Sequence, residues 1–303
     1  MKKLSIIAVL LLAFQMHAQQ DPQYTQYMYN MNIINPAYAG SRENLSFGLL
    51  YRNQWTNIEG GPETGTFFGH APLGNNIGLG ASVISDNIGP VNETNAYVDV
   101  SYTLNLGGEH RLAFGVKAGA TFHDINLSSG NVAVIDPNDP FFGIEINETT
   151  PNIGAGFFYY TEKYYLSLSV PNMLSSVHLD DSGLNIGSET QHYFVTGGYV
   201  FDLSENTELK PSFMMKSAFN APTSFDVNLN ARFFKKFEIG ASYRLDDSFS
   251  GLVNFALTDA IRVGYAYDAI SSDIRAFAPA SHEVMLLFDL NFPKRVSRSP
   301  RYF

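Results

Sequence analysis

Residues Ser281 to Phe303 read SHEVMLLFDLNFPKRVSRSPRYF. In the first half, Val284, Leu286, Phe288, Leu290 and Phe292 fall on one face, and Glu283, Met285, Leu287, Asp289 and Asn291 on the other. Period-two alternation of this length predicts a long strand with one apolar neighbour and one that is partly polar. Pro293 stops the run, and a basic tail follows (Lys294, Arg295, Arg298, Arg301), closed by Tyr302 and Phe303. About ten residues is long for a strand in a globular protein and fits a tilted membrane-spanning strand.

Working outward, the same alternation recurs along the chain. It marks Leu45–Tyr51, Thr66–His70, Ile77–Val83, Ala96–Leu104, Leu112–Phe122, Ile153–Tyr159, Tyr164–Val170, Tyr193–Phe201, Leu209–Met215, Phe225–Phe233, Phe237–Tyr243, Phe249–Phe255 and Ile261–Tyr267. With the final stretch the count is about fourteen, and bacterial outer-membrane barrels use even numbers of strands. The connections give a second test. Those at 72–76, 105–109, 161–163, 202–208, 234–236 and 257–259 read as short. Those between them, at 56–63, 85–91, 123–150, 171–191, 218–224 and 269–280, read as mostly longer, and only the link at 246–247 breaks the rule. Short periplasmic turns opposite longer extracellular loops are the asymmetry of outer-membrane barrels. The expected fold is therefore all-β: a transmembrane outer-membrane β-barrel of about 14 antiparallel strands. Closure requires the strand at Glu283–Phe292 to pair with the one at Leu45–Tyr51.

Composition agrees. Charged residues make up 16% and aromatics 14%, with 17 Tyr and 24 Phe, and mean hydropathy is −0.07. A barrel wall gives such averages because every second residue is polar. The chain opens with Met1-Lys2-Lys3, an apolar run to Phe14 and a small residue at Ala18, the pattern of a secretory signal peptide over residues 1–18. Without Lys2 and Lys3 the chain carries 17 basic and 29 acidic residues, a formal charge of −12 that argues against nucleic acid as a partner. There is no Cys, so neither disulfides nor a lipid-modified Cys enter the reading.

The expected organisation continues with residues 19–42 as an N-terminal segment, 43–292 as the barrel and 293–303 as a periplasmic tail. Residues 19–42 are rich in Tyr, Met and Asn and end in NPAYAG at 35–40. They read as a short helical or irregular segment that closes a barrel mouth, packs in the lumen or leads in through solvent. Inward-facing candidates carry both signs: Lys117, Lys210, Lys216, Arg232, Arg244, Arg262, Asp99, Asp226, Glu238, Glu283 and Asp289. Mixed signs point to internal ion pairs filling a narrow barrel rather than to a conduction path of one sign. Aromatic pairs Tyr159–Tyr160, Tyr164–Tyr165 and Tyr265–Tyr267 fall near strand ends, as an interface girdle would. Strand glycines are expected where the wall curves.

No catalytic constellation stands out. The histidines lack metal-ligand spacing, and no Ser is marked as a partner for His192 or His282. Asp136, Asp139, Glu145 and Glu148 lie on or beside the longest loop, where a hard cation or plain solvation are both open readings. The expectation is no enzyme and no cofactor.

Several stretches together resemble one family, the PorP/SprF outer-membrane proteins of Bacteroidetes, linked to type IX secretion and gliding. They are Gln23 to Gly40 with NPAYAG, Tyr51-Arg52-Asn53-Gln54-Trp55, Leu168-Ser169-Val170-Pro171-Asn172, His192-Tyr193-Phe194 with Gly197-Gly198-Tyr199, and Leu209-Lys210-Pro211-Ser212. Gly240-Ala241-Ser242-Tyr243-Arg244, Arg262 to Asp268, Ser281-His282-Glu283 and Ser299 to Phe303 complete the series. The resemblance implies a barrel that assists export or surface retention of an adhesin with a type B C-terminal sorting domain, or contacts periplasmic secretion components. The expected partners are therefore outer-membrane lipid, that adhesin or its sorting domain, and the periplasmic machinery. The partner-binding candidates are Lys294, Arg295, Arg298, Arg301, Tyr302 and Phe303. A diffusion porin or small-solute transporter is the alternative.

Overall fold

The computed structural model describes residues 23–42, 44–74, 76–126, 145–174, 180–181, 184–185, 191–218 and 221–290. Strands β1 (Leu45–Asn53), β2 (Glu63–Pro72), β3 (Ile77–Ile88), β4 (Val91–Gly107), β5 (His110–Asn126), β6 (Glu145–Tyr160) and β7 (Tyr164–Val170) form an antiparallel meander. A separate two-residue hairpin, β8 (Asp180–Asp181) and β9 (Leu184–Asn185), follows. The wall resumes with β10 (His192–Tyr199), continued past Val200 by β11 (Phe201–Ser204). It ends with β12 (Thr207–Ala218), β13 (Ala221–Phe233), β14 (Phe237–Arg244), β15 (Ser248–Ala256), β16 (Ile261–Ile270) and β17 (Ala280–Leu290). β10 pairs with both β7 and β12, and β17 pairs with β1 from Leu45↔Leu290 to Asn53↔His282. With β10 and β11 as one stave, the sheet closes into a 14-strand antiparallel barrel, and the expected first-to-last pairing is present.

The wall is inside-out relative to a water-soluble protein. On β5, Val116 is 60% exposed and Lys117 beside it 2%. On β17, Val284 is 52% exposed and Glu283 fully buried. Exposed apolar side chains on one face and buried polar ones on the other suit a hydrocarbon solvent outside the barrel.

Two connections expected to be long are tight. β3 and β4 stay paired to Ile88↔Val91, leaving Gly89 at φ +56° and Pro90 to turn the chain. β12 and β13 pair to Ala218↔Ala221. The alternation continues there in polar residues, such as Asp86↔Glu93 and Asn87↔Asn92, which a hydrophobicity pattern does not register. The aromatic pairs also divide. Tyr159 and Tyr164 lie on the outer face, whereas Tyr160 and Tyr165 are buried inside beside Phe158, as period two requires. At the short-turn rim Lys163 donates to Asp202, and that hydrogen bond raises the Lys163 ammonium above its ordinary range.

Val116→Arg places a charge in the apolar outer band and is expected to destabilise the barrel by about 2–4 kcal/mol. Asp124→Arg, on the same face of β5 near the polar rim, is expected to cost less than about 1 kcal/mol. Urea unfolding midpoints in lipid vesicles measure both.

Candidate functional site

The barrel interior is occupied by the chain's own residues 23–42. Every residue from Tyr24 to Arg42 is buried. The segment is a chain of single turns: Tyr27–Tyr29 (3-10), Met31–Ile34 (α) and Pro36–Tyr38 (3-10). Gln23 meets Arg244 at the long-loop end of β14, and Gly40 meets Gly78 at the short-turn end of β3, so the segment crosses the lumen.

Local chemistry explains NPAYAG. The Asn35 Oδ1 accepts from Ala37 N–H at 2.8 Å, capping a turn whose first residue, Pro36, has its φ preset. The Asn35 Nδ2 donates to Ser167 Oγ at 2.6 Å and to the Phe157 carbonyl at 2.9 Å, tying the turn to β7 and β6. Ala37 and Ala39 are small because the wall is close. A Cβ at Gly115 would lie 2.1 Å from Ala37 N, and one at Gly78 2.1 Å from the Ala39 carbonyl oxygen. These two glycines admit the segment's backbone. Gly40 ends the run at φ +69°, a conformation glycine adopts without strain.

The long-loop end is held by charge. Glu283 accepts the N–H groups of Thr25 and Gln26, each at 2.9 Å, and Asp268 accepts from Thr25 Oγ1 at 2.9 Å. Arg52 bridges both carboxylates, at 2.8 Å to Asp268 and 3.2 Å to Glu283. Farther in, Tyr29 donates to Glu238, which Lys210 meets at 2.5 Å. Lys117 lies 3.7 Å from Asp99 and donates to the Ile33 carbonyl at 2.7 Å. Ser169 and Ser101 donate to the carbonyls of Ile34 and Ala39, both at 2.6 Å. Wall side chains thus satisfy two N–H groups and three carbonyls of the irregular backbone inside the barrel. Between segment and wall, the cavity lined by Gln23, Tyr24, Tyr27, Lys216 and Arg244 measures about 10 Å³, room for one water.

Of the inward candidates, all but Asp289 are buried, and Asp289 is mostly covered, 3.4 Å from Arg42. The mixed charges pair, as Asp226 with Arg244 at 2.8 Å illustrates. Arg52 and Asp268, the centre of the clamp on Thr25, entered the sequence reading only within the family-like stretches and not among the inward candidates. Their register was the available signal, since Arg52 alternates with the outward Tyr51. His282 lies on the outer wall, 2.7 Å from the Tyr265 hydroxyl, and His192 is buried on β10. Among the described residues no group of three or more His, Asp or Glu is placed to hold a metal ion. Glu145 and Glu148 belong to β6, while Asp136 and Asp139 lie outside the described residues. The signal-peptide stretch 1–18 and the tail residues Lys294, Arg295, Arg298, Arg301, Tyr302 and Phe303 lie outside them as well.

Glu283→Ala leaves Arg52 half-paired and two backbone N–H groups without their acceptor. A cost of about 3–5 kcal/mol is expected, falling on seating of the segment rather than on the strand ladder. Gly115→Leu drives a side chain into the Ala37 backbone. Both variants are expected to raise single-channel conductance in planar bilayers above that of the parent while keeping heat-modifiable migration. Unchanged conductance in both would show that the segment does not close the lumen.

Among solved structures the chain is similar to CymD, a monoaromatic hydrocarbon channel, at 13% identity and TM-score 0.52 over 89% of this chain and 93% of that one. It also matches the P. putida toluene transporter TodX at 10% identity and TM-score 0.49, over 88% and 95%. The Acinetobacter baumannii outer membrane protein Omp33 matches at 12% and 0.46, over 82% and 99%. No curated protein matches the chain. At 13% identity the likeness to CymD concerns the barrel fold alone. The family described as type IX secretion system membrane protein PorP/SprF matches residues 16–288, nearly the whole chain, and the protein belongs to that family.

Proposed function

We propose that this chain is a non-enzymatic outer-membrane component of type IX secretion. It assists export or cell-surface attachment of an adhesin carrying a type B C-terminal sorting domain, serves gliding, and contacts periplasmic machinery through its basic tail. Membership of the family carries the reading. The occupied lumen supports it over the diffusion porin, because residues 24–42 fill the path a solute would take. Long polar strand extensions on the long-loop side offer a protein-binding rim in water, whereas a passive pore needs none.

Residues 1–18 act as the signal peptide in this reading. The tail at 293–303 is the inner contact: four cations and two aromatics suit an acidic, partly apolar protein surface.

Deleting the gene is expected to remove one large adhesin from the cell surface, measured by surface proteolysis and mass spectrometry; normal display of every large adhesin would sink the reading. Removing Arg298–Phe303 is expected to leave the barrel inserted and to lower that display. Full display in the truncated strain would refute the tail's docking role.

A further inference from the structure

The connection between β1 and β2 builds a cavity on the outer side of the long-loop rim. It measures about 280 Å³, and the nine residues that line it all lie among those described. Three of them come from the wall. Asn53, Glu63 and Asn87 stand side by side on β1, β2 and β3, through the pairs Asn53↔Glu63 and Glu63↔Asn87. Their chain neighbours Arg52, Thr64 and Asp86 are buried inside the barrel, so period two turns all three outward. Side chains in such a row stand about 5 Å apart. The Asn53 Nδ2 donates to Glu63 Oε1 at 3.3 Å.

The rest of the lining is loop: Thr56, Asn57, Ile58, Gly60 and Gly61, with Gly89 from the β3–β4 turn. This loop is fastened on two sides. Trp55 N–H donates to Ser281 Oγ at 3.1 Å, and Thr56 N–H to the Ala280 carbonyl at 2.9 Å, which tie it to β17. Gly89 N–H donates to the Gly60 carbonyl at 3.0 Å, and a Cβ added at Gly60 would lie 3.2 Å from the Gly89 Cα. Within the loop, Gly61 N–H donates to the Ile58 carbonyl at 3.1 Å. Asn57 is held at φ +83°, a conformation that is unfavourable for a residue with a side chain and that concentrates at ligand sites. The cavity is therefore built before any ligand arrives.

Its chemistry narrows the ligand. None of the nine lining residues is basic, so nothing there attracts a phosphate, sulfate or carboxylate. The polar set is three carboxamides, one carboxylate and one hydroxyl, which together donate to and accept from hydroxyl groups. Neighbours about 5 Å apart reach separate hydroxyls of one ring. Ile58 adds an apolar contact for the C–H face of that ring. The volume lies just below the roughly 300–1,000 Å³ of drug-sized sites and suits a sugar ring. A lone hard cation would need about six to eight oxygens at close range, and the lining holds a single carboxylate.

The position agrees. The next outward row towards the membrane holds Tyr51 and Phe122, 50% and 47% exposed, as an interface girdle would. The cavity stands one row beyond it, in water. Its own row continues along the outer face as Asn92, Asp124 and Asn147 on β4, β5 and β6, so further hydrogen-bonding groups follow.

We infer that this cavity is a carbohydrate-binding site for an uncharged sugar residue, a hexose or an N-acetylhexosamine. Asn53, Glu63 and Asn87 bond its hydroxyls, and Asn57 closes over it from the loop. The glycan that carries the sugar belongs to an outer-leaflet glycolipid or to a polymer arriving from outside the cell. The site stands independently of the secretion reading.

The test is saturation-transfer NMR on the full-length protein in a sugar-free detergent. The probes are glucose, galactose, mannose, N-acetylglucosamine and N-acetylgalactosamine, with glucuronate as the charged control. At least one neutral sugar is expected to bind, and glucuronate to bind more weakly than glucose. Asn87→Ala is expected to weaken binding roughly three- to tenfold, the worth of one hydrogen bond. Asn57→Gly, which keeps the backbone conformation at no strain, is expected to weaken it as well. Heat-modifiable migration confirms that each variant barrel has assembled. Saturation transfer to none of the five neutral sugars, a preference for glucuronate, or affinity unchanged in both variants would each overturn the site. Glycolipid extracted from the protein's own outer membrane is then added as competitor. Displacement of the bound sugar supports the site with a membrane glycolipid as its source, and retention supports it with a glycan from outside.

Discussion

Hydrocarbon offers a strand edge no hydrogen-bond partner, so a sheet that crosses a membrane must close on itself. Here closure falls to the nine residue pairs from Leu45↔Leu290 to Asn53↔His282. They join the first strand to the last, so the wall is complete only when the whole chain has been laid down. The same ladder sets the interior. It brings Arg52 opposite Glu283, on the inward register of β1 and β17, and with Asp268 from β16 these form the clamp on Thr25. Barrel closure and lumen closure thus share residues.

The interior shows how irregular backbone survives at membrane depth. Residues 23–42 form only single turns, whose own bonds leave many N–H and C=O groups without an intrasegment partner. The wall answers with carboxylates for the N–H groups near the long-loop end and with Lys117, Ser169 and Ser101 for the carbonyls farther along. The buried ions gain partners in return, which is the condition for a charge to be kept out of water. Segment and wall are therefore complementary to one another, and each would be costly alone.

Much of this fold was legible in the sequence. The strand count, the pairing of Leu45–Tyr51 with the end of the chain, and the mixed-sign inward charges followed from a two-residue period. The misses have physical reasons. The extensions of β3, β4 and β6 are largely polar, as at Asp86, Asn87, Asn92, Glu93 and Asn147, so hydrophobicity carries little trace of them. Tyr160 and Tyr165 were assigned to the girdle by proximity to strand ends, although the period itself turns them inward. Gly115 and Gly78 looked like relief for a curving wall, and what approaches them is the backbone of a segment far away in sequence. The clamp was half visible: Glu283 was among the inward candidates, Arg52 and Asp268 were not.

By itself the sequence determined that the chain is a membrane barrel, most of the residues that face lipid, and that charges of both signs face inside. Periodicity is a local property, and the membrane imposes it strand by strand. Only the tertiary structure decided that Gln23–Arg42 fills the lumen, that Arg52 joins Asp268 to Glu283 across three strands, and that β6 outruns β7. Each of these depends on distances between residues tens to hundreds of positions apart. Such distances arise from closure and register together, and no single stretch of sequence contains them.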